Sequence, residues 1–124
     1  MSDIKQKIIG TWKLVHSMVI EDSGEKRYPF GDDAIGYIMY DGFGKMAVQI
    51  SRKKRESLDP NDYLAYFGRY EIDTEKEVVR HFVEGSLHLN YIGKTLERKY
   101  SFYDNKMALK PVDGKSREIL WEKI

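Results

Sequence analysis

Three histidines and one arginine carry most of the chemistry this chain could do. Strand alternation puts His16 on a face with Trp12, Leu14 and Met18. It puts His81 with Tyr70, Val79 and Val83, and Arg98 with Leu96, Tyr100 and Phe102. A guanidinium in an apolar interior costs several kcal/mol, so Arg98 needs a carboxylate, ordered water or a ligand anion. Two readings stay open. Arg98 anchors an anion or polar headgroup, because its fork suits carboxylates, or its stem lies across Trp12 and plugs one end of a barrel. His81 can donate and accept in one pocket, which suits a polar contact or a general base. Its structural alternative is a buried imidazole satisfied by Tyr66 or Tyr70. His16 is expected on the inner face of the first strand, four residues after Trp12, whereas His88 sits near a loop and reads as solvated. Of nine tyrosines, Tyr37, Tyr66, Tyr70 and Tyr100 are expected to point inward. The expected ligand-binding set is therefore His16, Tyr37, Tyr66, Tyr70, His81, Arg98 and Tyr100. No catalytic residue is assigned.

Other chemistries are excluded by what the chain lacks. There is no cysteine, so disulfides, thiolate zinc sites, iron–sulfur clusters and cysteine nucleophiles are absent. No His-x-His or His-Glu-x-x-His spacing supports a metal, no Gly-x-Ser-x-Gly elbow a serine nucleophile, and no cofactor is implied. Gly42-Phe43-Gly44 precedes a strand and not a helix, so it is a turn and not a nucleotide loop. Lys plus Arg is 21 against 20 for Asp plus Glu, which argues against a nucleic-acid binder. The one basic run, Arg52-Lys53-Lys54-Arg55, reads as a solvated loop. No stretch approaches the roughly 18 apolar residues of a membrane span, and Met1–Gly10 has no apolar signal core. A cytoplasmic location is expected.

The elements that must position these side chains are mostly short alternating runs between turn signals, over a single domain spanning all 124 residues. Ser2 is expected to cap a helix through Ile9, with Ile4 and Ile8 on one face. Strands are expected at Thr11–Glu21, Ile35–Tyr40, Lys45–Ser51, Phe67–Asp73, Glu77–Glu84, Lys94–Tyr103, Met107–Leu109 and Arg117–Ile124. Pairing Tyr40 with Lys45 puts Ile35, Tyr37 and Met39 on the face of Met46, Val48 and Ile50. Pairing Ile72 with Glu77 puts Tyr70, Val79, His81 and Val83 together. Asp59-Pro60 predicts a short helix through Tyr63 and Leu64, set as a lid beside the loop from Arg52 to Asp62. Eight strands joined by short connections predict an all-β, antiparallel up-and-down barrel with a short N-terminal helix. Its interior would just admit side chains or one small ligand.

Gly10-Thr11-Trp12 at the start of the first strand resembles the Gly-x-Trp signature of lipocalins and fatty-acid-binding proteins. Tyr28-Pro29-Phe30-Gly31, Gly36–Tyr40, Gly44–Gln49, Tyr63–Tyr70, His81–Leu87, Asn90–Gly93 and Leu120–Lys123 look like successive blocks of the lipocalin-like domain family. The resemblance implies an eight-stranded barrel with an internal cavity, and structural roles for Gly10, Trp12 and Trp121. It implies little about chemistry. The Arg-x-Tyr pair that holds a carboxylate in fatty-acid-binding proteins is replaced here by Ile119 and Trp121, so that clamp is not inherited.

Three functions follow from this reading. The preferred one is a binding protein for a small hydrophobic or amphipathic molecule. The alternative is a small isomerase or cyclase using His81 with Arg98 and a tyrosine. The third is a filled barrel acting through its surface. Oligomeric state is not indicated.

Overall fold

Alternating apolar and polar residues become strand throughout the computed structural model, which describes residues 3–113 and 116–124. A helix α1 (Asp3–Ile8) precedes strands β1 (Gly10–Ile20), β2 (Lys26–Arg27), β3 (Ile35–Tyr40), β4 (Lys45–Ser51) and β5 (Tyr63–Asp73). Then come β6 (Val78–Ser86), β7 (Thr95–Tyr103), β8 (Lys106–Pro111) and β9 (Arg117–Lys123). All pairings are antiparallel between neighbours, and β9 returns to pair with β1. Eight strands thus close a barrel, and closure leaves no long edge unpaired. The two-residue β2 only extends the end of β1. The expected cap Ser2 and the Gly114 half of the expected last turn lie outside the described residues.

The two ends differ. Helix α1 and the turns at 41–44, 74–77 and 104–105 gather at one end, which is filled. Ile8 is fully buried there, and Ile4 packs on the same cluster. The Trp12 indole N–H donates to Ile8 O at 2.9 Å. Lys123 Nζ lies 4.8 Å from the Trp12 ring and donates to Lys7 O at 2.7 Å and to Ile9 O at 2.5 Å. A cation on the last carbonyls of a helix satisfies orphan acceptors and opposes the helix dipole. The residue across Trp12 is therefore Lys123, and the Arg98 plug is corrected. Gly10, at φ +136°, lets the chain turn from helix into barrel beside that lysine.

Register corrects two inward placements. Asp41 Oδ1 accepts from the N–H of Phe43 and of Lys45, each at 2.8 Å, and Gly44 takes φ +85°. The turn is therefore the three residues 42–44, and Tyr40 pairs with Met46 instead of Lys45. A slip of one residue exchanges the faces. Ile38 and Tyr40 point inward, while Ile35, Tyr37 and Met39 are exposed. In β1 a bulge at Val15, between Leu14 and His16, resets the alternation. Ser17 becomes buried, and His16 turns outward to meet Glu118 at 2.9 Å. The β5–β6 hairpin pairs Ile72 with Val79 and not Glu77, a slip of two that keeps Tyr70 and His81 inside. After Asp59-Pro60 the short helix is one 3-10 turn, Pro60–Asp62, capped by Asp59 Oδ1 on the Asn61 N–H at 2.9 Å. Tyr63 and Leu64 are already strand.

Candidate functional site

The other end of the barrel opens into a cavity of about 430 Å³. Its walls are apolar: Ile38 from β3, Val48 and Ile50 from β4, Leu109 from β8, and Ile119 and Trp121 from β9. Its rim is Phe30, Asn61, Leu64, His88, Asn90, Tyr91 and Arg117. These come largely from connections, where binding residues usually sit. Arg52 ties the rim together. Its Nε pairs with Asp62 Oδ1 at 2.6 Å, and its Nη2 donates to Pro29 O at 3.1 Å. The basic run thus begins with a structural residue, while Lys53 to Leu58 remain exposed.

Three side chains form a polar chain at the inner end. The Tyr40 hydroxyl is 2.7 Å from His81 Nε2, and the Tyr66 hydroxyl is 2.7 Å from His81 Nδ1. His81 is 1% exposed. Burial, with help from the Arg98 charge, pushes its pKa down to about 3, so the ring is neutral. A neutral imidazole has one N–H and one lone pair. Tyr40 is enclosed, and His81 is its hydrogen-bond partner. Its hydroxyl must therefore donate to Nε2, or its hydrogen would be left without an acceptor. Nδ1–H then donates to Tyr66 O, which leaves the Tyr66 hydrogen for the cavity. Burial pushes both tyrosines up from their ordinary pKa, so they stay protonated.

Arg98 lines the same cavity, near enough for its charge to act on Tyr40, Tyr66 and His81. Its one hydrogen bond among the described residues, Nη1 to Glu97 O at 3.1 Å, engages no carboxylate. Trp121 is 1% exposed, and its indole N–H has no partner among the described residues. The same is true of His88 Nδ1.

Of the residues expected to bind ligand, Tyr66, His81 and Arg98 come together here. Tyr70 and Tyr100 point inward but away from the cavity. The Tyr70 hydroxyl donates to Asp41 O at 2.6 Å at the filled end, and Tyr100 packs against Phe102. His16 and Tyr37 lie outside, by the bulge and the register shift above. Glu84, the extra residue of a bulge opposite Phe67 and Gly68, stays exposed and gives His81 no carboxylate. Sequence reading missed Tyr40, Ser17, His88, Tyr91 and Arg117. Asp41-Gly42-Phe43-Gly44 carried the signal for Tyr40, because an aspartate that closes a three-residue turn fixes the pairing. For the rim residues no local signal existed.

Fold and cavity together define an eight-stranded antiparallel barrel, filled at one end and hollow at the other. The lipocalin-like domain family matches residues 9–123, and the chain belongs to that family. No curated protein is similar enough in sequence to count as a relative. Among solved structures, one described as a redesigned beta barrel is similar over 100% of this chain and 97% of that one. Its TM-score is 0.53 at 10% identity, a likeness of fold alone.

Proposed function

We propose that the protein is a binding module that holds one small hydrophobic or amphipathic molecule in the open half of the barrel. The observation that carries this reading is the cavity of about 430 Å³, in which apolar walls such as Ile38, Val48 and Leu109 meet polar side chains such as Tyr66, His81 and Arg98. A concave site of that size is typical of small-molecule sites. The enzyme alternative is less well supported. Both nitrogens of His81 are engaged by tyrosine hydroxyls, so no imidazole lone pair is free to act as a base on a molecule in the cavity. A cytoplasmic site of action belongs to the same proposal and rests on the sequence, which has no cysteine.

The neutral dye N-phenyl-naphthylamine tests the reading. Its fluorescence should rise on binding with one site per chain. Val48→Phe, which adds volume to a cavity wall, should weaken that binding at least tenfold while the fold persists. An unchanged affinity in a folded Val48→Phe protein would refute the cavity as the site.

A further inference from the structure

We infer that the cavity selects a singly charged organic oxyanion on an aromatic body, held head-inward by Arg98, Tyr66 and Trp121. This rests on the cavity being the binding site and names the class of ligand it takes.

The polar groups at the inner end have one character. Among the described residues, Arg98 offers a guanidinium without a carboxylate partner, and Trp121 an indole N–H without any partner. Tyr66 offers the hydroxyl hydrogen that the Tyr40–His81 chain leaves over. These three are donors, and among the described residues the cavity lining contains no aspartate or glutamate. A buried donor without an acceptor costs about 1–3 kcal/mol. Trp121 has such a donor, and Arg98 is a half-buried cation with no carboxylate on it among the described residues. Both line one cavity with Tyr66, so an acceptor carrying a negative charge suits the three together. A carboxylate or a phenolate-type oxyanion meets that description. One guanidinium at the inner end favours one negative charge over the two of a phosphate monoester. Arg117 at the rim adds a second cation to the path inward. The body of the ligand then lies among Tyr91, Phe30 and Leu64. Tyr91 already meets the Tyr66 ring edge-on with centroids 6.2 Å apart, so a planar ring continues an existing aromatic stack. His81 stays neutral beside Arg98 and does not compete for the anion.

Calorimetry with a matched pair separates charge from bulk: naphthoate, and naphthylmethanol, which keeps the rings and loses the charge. The wild-type protein should bind naphthoate at least tenfold more tightly. In Arg98→Met that ratio should fall towards one, and Tyr66→Phe should lower it several-fold. Equal affinities in the wild-type protein would overturn the inference, and so would a ratio that survives in folded Arg98→Met. The wild-type comparison needs no variant to fold. If neither compound nor the neutral dye binds, the cavity reading itself fails. If the dye binds and the acid has no advantage, only the oxyanion is refuted.

Discussion

At the scale of single residues, His81 is a buried linker between two phenols, and its neutrality has a pH consequence. Its pKa is about 3 in the folded chain against an ordinary value of 6.5. Between those values the unfolded chain binds a proton that the folded one refuses, so stability falls as pH falls through that window. From pH 6.5 to 5.0 the loss due to His81 is about 1–2 kcal/mol by that linkage. Urea denaturation at the two pH values measures it, and His81→Gln should remove most of the difference. Tyr40→Phe should cost about 1–3 kcal/mol, because Nε2 would be left buried and unpaired. At the filled end, Lys123→Met should cost about 1–2 kcal/mol and fray α1, since Nζ holds two carbonyls of the helix end. Helical circular dichroism and melting record that loss. Arg98 was legible as an inward cation, since no neighbouring phase is chemically better. What it faces was not legible, because the rim is built by segments far apart in sequence.

At the scale of elements, a hairpin can be recognised while its faces are assigned backwards. The run from Ile35 to Tyr40 and its partner from Lys45 to Ser51 were both readable to the residue. Their pairing was not, because Asp41 moved the turn by one position and exchanged Tyr37 for Tyr40. The hairpin from Tyr63 to Ser86 tolerated a pairing error of two, since side chains repeat every second residue. Bulges are the other hidden step. The one at Glu84 brings strands so close that a Cβ on Gly68 would lie 1.9 Å from Phe82 O, with backbone all around. Gly68→Ala should therefore destabilise by about 3 kcal/mol, the upper end of overpacking costs. Gly42→Ala, whose nearest contact is a flexible side-chain end at 4.0 Å, should stay within about 0.5 kcal/mol. Thermal melts of the two variants make the comparison.

At the scale of the whole molecule, the barrel divides its labour between its ends. Trp12, Lys123, Tyr70 and α1 fill one end, and the loops around Phe30, Asn61 and Tyr91 surround the other. The eightfold alternation and the Gly10-Thr11-Trp12 start were enough to foresee the closed architecture. The asymmetry depends on loop positions that alternation does not encode. Substitutions should separate accordingly: Trp12→Phe should lower the melting temperature with little change in dye affinity. Tyr91→Ala at the rim should weaken dye binding with little change in melting. Amides from Lys53 to Leu58, exposed and outside the strands, should exchange orders of magnitude faster than those of β5 and β6. Arg52 and Asp62 should stay protected, which confines any lid motion to the residues between them. Exchange across 53–58 as slow as in the strands would remove the lid.

The two indole N–H resonances provide the most direct test of the central claim. The chain has two tryptophans: Trp12 at the filled end, and Trp121, opposite Leu14 and so two residues further in, where it lines the cavity. The Trp12 indole N–H is bonded to Ile8 O at the filled end, whereas that of Trp121 is unpartnered beside the cavity. In a nitrogen-correlated proton spectrum titrated with naphthylmethanol, the Trp121 signal should shift to saturation at one equivalent while the Trp12 signal stays in place. If the ligand binds and the Trp121 signal does not move, or the Trp12 signal moves in its place, the molecule sits elsewhere and the cavity is not the site.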